Sequence, residues 1–347
     1  MSTVVERTRD RTRVDTRPPA AFGMLLLLLA AALLVNSLIG PLALDLVDYP
    51  ITATLQNQLI GLEVVTIALV VPWCGYAGIR ALTGEPGSAL LAFGPAAYTV
   101  YMFVQYVLGP EYGAYRTVAL VHLGLVTLSG GLTLWAWALS RTTTLPTRTH
   151  RAERVYGAVM VGLALFVVLR YASAITGSFS ATPIPEEFAA ARTFYWSIYL
   201  LDLGVVVPAT VVGAVALLRG RELGRRALYT VTGWFALVPP SVAAMAVVML
   251  VKGDPNASVA TVVTLTVASL VFGAFAVHVY RPLLARRRPA TLAAGLRGAG
   301  DEERQPPHRG DQRQHHERHR QGDHHVAQLD RDRRHEHEQG QRSRNRP

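Results

Sequence analysis

The sequence predicts an all-α integral membrane protein, a bundle of eight transmembrane helices with both termini cytoplasmic. Half of the 347 residues are hydrophobic. They fall into blocks of about twenty or more, long enough to cross a bilayer as helices. Arginines gather at alternate ends of these blocks, the bias that sets orientation in membrane proteins. A formal charge of +10 would point to nucleic acid in a water-soluble chain. Here the arginines flank apolar blocks or fill the tails, so no nucleic-acid partner is expected and the lipid bilayer is the partner. The expected location is the plasma membrane, multi-pass. Cys74 is the single cysteine, which excludes a disulfide framework or a thiolate metal site within one chain.

Residues 1–20 form a basic segment carrying Arg7, Arg9, Arg11, Arg13 and Arg17, closed by Pro18 and Pro19. The apolar block from Phe22 to Leu44 that follows exceeds the signal-peptide core of about 7–15 residues and lacks a small-x-small cleavage site, so it reads as helix one. Asp45 and Asp48 with Tyr49 and Pro50 suit an external loop. Helix two is expected from Asn57 to Arg80 with Glu63 in its first third, and the turn GEPG follows. Helix three, Ser88 to Leu108, places Tyr98, Tyr101 and Gln105 on one face. Helix four, Tyr115 to Ser140, carries His122, and helix five, Val155 to Thr176, carries Arg170. The link from Gly177 to Arg192 has room for a short surface helix. Helix six, Tyr195 to Arg219, contains Asp202. Helix seven, Ala227 to Val251, should kink at Pro239 and Pro240, which remove backbone donors. Helix eight runs from Ala257 to Tyr280. No internal repeat is evident at this level.

The membrane domain spans residues 21–288. Beyond it, residues 289–347 form an Arg- and His-rich stretch with almost no aliphatic residues, expected to be a disordered cytoplasmic tail. HHERH and HEHE in this tail can bind divalent metal, but a solvated charged tail or an out-of-frame reading is the stronger account of the composition. No metal site and no cofactor is expected in the membrane domain. Its histidines are too far apart in depth to clamp a haem, and nucleotide-binding glycine loops, GxSxG and HExxH are absent.

The candidate functional residues are the polar groups inside apolar blocks. A carboxylate at a helix centre costs roughly 2.5–3.5 kcal/mol and marks a functional site by default. At about 1.5 Å per residue, Glu63, Tyr101, Gln105, His122, Arg170 and Asp202 lie roughly 6–12 Å below the external surface. With Tyr98 they form a candidate ligand-binding layer around an externally open cavity. Charge counting pairs Arg170 with Asp202 on the next helix and leaves Glu63 without a fixed partner. A purely structural ion pair with a snorkelling carboxyl fits the same residues.

Three stretches resemble a group of bacterial polytopic membrane proteins of unassigned function: NQLIGLEVVTIALVVPW from Asn57, GSALLAFGPAAYTVYMFVQYVLG from Gly87, and LLDLGVVVPATVVGAVALLR from Leu200. Glu63 with Pro72, the tyrosines Tyr98, Tyr101 and Tyr106, and Asp202 with Pro208 match that group's motifs. The chain departs from the group in its GLE context and in lacking an asparagine after helix three. The resemblance implies a multi-pass membrane fold and no activity. The expected function is binding of a small ligand or ion for transport or sensing. An enzyme acting on lipid head groups, with Glu63 or Asp202 as base and Arg170 as phosphate clamp, or a scaffold for a partner protein, are the other readings. Oligomeric state is not legible.

Overall fold

In the computed structural model, residues 17–114, 116–180, 183 and 186–284 are described. The expected tail, and the N-terminal arginines up to Arg13, lie outside them. The described chain is all-helical, with eight helices long and apolar enough to cross a membrane: α1 (Ala20–Ile39), α2 (Ala53–Leu82), α3 (Ser88–Leu108), α4 (Thr117–Ser140), α5 (His150–Arg170), α6 (Arg192–Leu218), α7 (Glu222–Val251) and α8 (Val259–Leu284). Two short helices, Ala172–Phe179 and Glu186–Ala190, fill the link between α5 and α6.

Helix ends fall where caps place them, not where hydrophobicity stops. The Thr52 hydroxyl accepts from the Leu55 amide, so α2 opens four residues before Asn57. Thr149 caps α5 in the same way, at the Ala152 amide. The polar turn after Thr149 is therefore helical, and it buries Glu153 against Arg225, 2.6 Å away at the start of α7. The kink expected in α7 is a break at Ala236 and Leu237, with Pro239 and Pro240 in the first turn of the helix that resumes at Val238. There the missing proline donors cost nothing.

α2 and α6 each contain one π-helical turn, Thr66–Val70 and Asp202–Val206. In each, the residue before a proline reaches back five positions: Val71 N–H to the Thr66 carbonyl, and Val207 N–H to the Asp202 carbonyl. Pro72 and Pro208 follow. A proline ring clashes with the carbonyl four residues earlier, and the widened turn makes room for it.

This coincidence belongs to an internal repeat that the sequence reading did not find. The displacement along the chain that carries Pro72 to Pro208 also carries Thr66–Val70 onto Asp202–Val206 and Val71–Leu82 onto Val207–Leu218. It carries Gly84 onto Gly220, both at positive φ (75° and 66°). Each glycine closes its helix with the same pair of bonds, Gly84 N–H to Ala81 and Glu85 N–H to Arg80, then Gly220 N–H to Leu217 and Arg221 N–H to Ala216. The preceding helices dock alike. Gly23 of α1 lies against Leu82 and the Gly78 carbonyl, and Gly157 of α5 lies against Leu218 and the Ala214 carbonyl. Packing follows one scheme in each half: α1 on α2, α2 on α3, α3 on α4, then α5 on α6, α6 on α7, α7 on α8. Between halves, α3 meets α7, while α2 meets α7 and α3 meets α6, as a two-fold relation requires. The central crossing brings Gly94 and Gly233 backbone to backbone, leaving about 3.0 Å for a Cβ at Gly94.

The even number of crossings per half puts every arginine-rich link at one end of the bundle. The described residues of the links 40–52, 109–116, 171–191 and 252–258 lie at the other, called here the opposite end.

Candidate functional site

The polar groups assigned to one layer are divided by the structure among three places near the opposite end. The direction each faces around its helix was not legible in the sequence.

The first place is Asp202, 2% exposed at the start of the α6 π turn. Its Oδ1 accepts from the Tyr101 hydroxyl of α3 at 2.8 Å, and its Oδ2 accepts from the Tyr171 hydroxyl just beyond α5. Both carboxyl oxygens are thus taken by phenols. Arg170 is not the partner that charge counting made it: its guanidinium lies more than 4 Å from the Asp202 carboxyl, sits 5.5 Å above the Tyr171 ring, and is exposed. Tyr171 lies inside the block read as helix five and was passed over as an uncharged phenol, yet its place beside Arg170 was a usable signal.

The second place holds Glu63 and His122. Glu63 is 1% exposed; its Oε2 accepts from the Leu42 amide at 2.8 Å, and its Oε1 is buried with no hydrogen-bond partner. Gly40, at the end of α1, is pressed against this carboxyl so closely that a Cβ there would overlap it. His122 is fully buried. Its Nε2 lies 3.1 Å from Asn36 Oδ1 and 3.4 Å from the Tyr49 hydroxyl, and its ring stacks on Tyr49 at 5.9 Å. Burial pushes the Tyr49 phenol well above its ordinary range, so it stays a neutral donor or acceptor in this loop. His122 is thereby a packed, hydrogen-bonded residue that fastens α1 and the following loop to α4. Asn36, a lone amide in the leucine-rich first helix, was the readable signal for this cluster.

The third place is a cavity of about 250 Å³ bounded by both halves of the repeat. Tyr98, Tyr101 and Gln105 of α3 and Gln58 of α2 line it from the first half; Arg170, Ser241 and Asn256 line it from the second. The Tyr98 hydroxyl meets Ser241 Oγ at 2.6 Å across the junction. Arg170 is the one charged residue among those lining the cavity. It also borders a wider hollow of about 660 Å³ with Arg192 and the aromatic rings of Tyr171, Phe188, Trp196 and Tyr199. Among the described residues neither lining includes a carboxylate. Glu63, His122 and Asp202, grouped with the cavity by the sequence reading, do not line it.

Asp254 closes the same end. Its carboxylate accepts from the Asn57 amide at 3.0 Å and the Thr54 hydroxyl at 3.3 Å, tying the α7–α8 link to the start of α2. Partial burial works against its charge, but these bonds and the Asn256 amide outweigh it and hold the carboxyl below its ordinary range. No group of three or more His, Cys, Asp or Glu side chains suited to a metal ion occurs among the described residues.

Comparison of the chain with protein-family models, with curated proteins and with solved structures finds no match in any of the three. The likeness to bacterial polytopic proteins therefore rests on the quoted motifs alone.

Proposed function

We propose that this chain binds a small organic anion in the cavity between its two halves and carries it across the plasma membrane, with both termini cytoplasmic and the cavity mouth external. The observation that carries the reading is the lining: one guanidinium, Arg170, with phenols, hydroxyls and carboxamides around it and, among the described residues, no carboxylate. Arginine offers a planar fork of donors to a carboxylate or phosphate. The aromatic hollow beyond Arg170 gives an apolar tail a place to lie. Repeats related by an axis along the membrane normal are one of the architectures of secondary transporters, whose sites lie between the repeats. That supports transport over sensing, and the bacterial likeness supports a bacterial plasma membrane.

The test is thermal stability of the purified full chain in lipid nanodiscs with acetate, benzoate, octanoate and phenyl phosphate. A bound ligand at about 100 times its Kd stabilises by about 2.7 kcal/mol. The expected result is a raised Tm with benzoate, octanoate or phenyl phosphate that Arg170→Gln abolishes. A lipid as the source of the anionic group is distinguished by nanodiscs with and without phosphatidylglycerol. If no probe shifts the Tm, or Arg170→Gln responds as the wild type does, the reading fails.

A further inference from the structure

The two halves of the repeat treat their buried acids differently. In the second half Asp202 is satisfied at both oxygens by Tyr101 and Tyr171. In the first half Glu63 has one amide donor, at Oε2, and nothing at Oε1. The Glu63 carboxyl borders a small space of about 10 Å³, room for about one water molecule. Among the residues lining that space are Asn36, Ser37, Thr66, Thr99, Tyr98 and Tyr106.

No Arg, Lys or His nitrogen lies within 4 Å of Glu63 among the described residues. The titratable groups facing it are Asp45 and Tyr49 from the α1–α2 loop, Tyr98 and Tyr106 from α3, and His122 of α4 behind Tyr49 and Asn36. From α7, Met245 backbone packs on Gly61 and brings no charge. A carboxylate in such a place has lost its water and gained a single donor, whereas the protonated acid needs only an acceptor for one O–H.

We propose that Glu63 is a proton-binding site: the first half of the repeat holds one exchangeable proton on the Glu63 carboxyl, and releases it only when water reaches the pocket. On release the O–H bond breaks, the electron pair stays on the carboxylate, and the proton passes to that water as hydronium. Thr66 occupies the place in the first π turn that Asp202 occupies in the second, so the acid is moved back by three residues, about one helical turn. That shift takes Glu63 away from any phenol equivalent to Tyr171 and under the Gly40 turn. The site does not rest on the anion cavity, because Glu63 does not line it.

Infrared difference spectroscopy of the full chain in nanodiscs tests the site by the carbonyl stretch of a protonated carboxyl. At neutral pH the wild type should show such a band, slow to shift on transfer into D₂O because the carboxyl is buried. Glu63→Gln, which keeps the acceptor for the Leu42 amide, should lose the band and melt as the wild type does. Arg170→Gln should leave the band in place, which separates this site from the anion reading. The proposal is overturned if every protonated-carboxyl band survives in Glu63→Gln. It is also overturned if exchanging choline for sodium chloride removes the band, since the site would then hold a cation. Should Glu63→Gln not fold, the wild type alone decides: absence of a slowly exchanging band at neutral pH overturns the proposal.

Discussion

The Tyr101 hydroxyl donates to Asp202 at 2.8 Å, and this bond joins α3 of the first four-helix unit to α6 of the second. It lies where the α6 π turn opens, so the turn that accommodates Pro208 also aims the carboxyl at its phenols. A hydrogen bond contributes about 0.5–1.5 kcal/mol net, and about 1.5–3 kcal/mol when one partner is charged. Tyr101→Phe is therefore expected to destabilise the protein by about 1–3 kcal/mol, read by denaturation in mixed detergent micelles. Tyr171→Phe should cost a similar amount. Because the two phenols donate to the two oxygens of one carboxyl group, the double variant should depart from the sum of the singles. Strict additivity would show that the phenols act independently of Asp202.

A second prediction concerns the close approach of α2 to α7. A Cβ on Gly61 would come within about 2.5 Å of the Met245 backbone, which cannot swing aside as a side chain can. Gly61→Ala should cost about 1–3 kcal/mol by overpacking. Gly124 has nothing within 4 Å of the same added atom, so Gly124→Ala on α4 should be neutral or slightly stabilising through helix propensity. Equal effects of the two substitutions, measured by the same denaturation, would contradict the packing described for Gly61.

A third prediction is a pH dependence at the opposite end. The folded-state pKa of Asp254 lies below its unfolded value, because Asn57, Thr54 and Asn256 donate to the charged form. A depressed pKa contributes stability that is complete above the unfolded aspartate value of about 3.9 and is lost as pH falls through the folded value. Acidification below about pH 4 should thus loosen the tie between the α7–α8 link and the start of α2. Amide exchange at Asp254, Asn256 and Ala257, relative to the intrinsic rate at each pH, should rise there, and Asp254→Asn should flatten that rise. A rise of the same size in Asp254→Asn would assign it to another group.

How much of this was legible in the sequence follows the physics of each feature. The eight spans were, because the hydrocarbon thickness imposes a length and the charge bias imposes an alternation; α3 is bounded at Ser88 and Leu108, as its apolar run implies. The α7 break was legible from Pro239 and Pro240. The ends of α2 and α5 were not, since Thr52 and Thr149 extend helices into polar sequence through side-chain caps. Pairing Arg170 with Asp202 failed because opposite charges were matched before uncharged donors were considered, and two phenols satisfy a carboxylate as well as one guanidinium does. The repeat was hidden because few residues are shared between LVVPWCGYAGIRALTG and VVVPATVVGAVALLRG. What the halves share is backbone constraint: a proline that forces a wide turn and a glycine that ends a helix. Setting Pro72 over Pro208 would have exposed it.

The link from Arg141 to Thr149 joins two units that each cross the bilayer four times, so it begins and ends at the same end of the bundle. A break in that link strands no partial crossing. Each unit also brings its own proline-bearing helix and its own closing glycine. The chain is in this sense a covalent dimer whose order is a matter of tethering. The second unit followed by the first, rejoined through a linker at the arginine-rich end, would reproduce the same set of buried contacts.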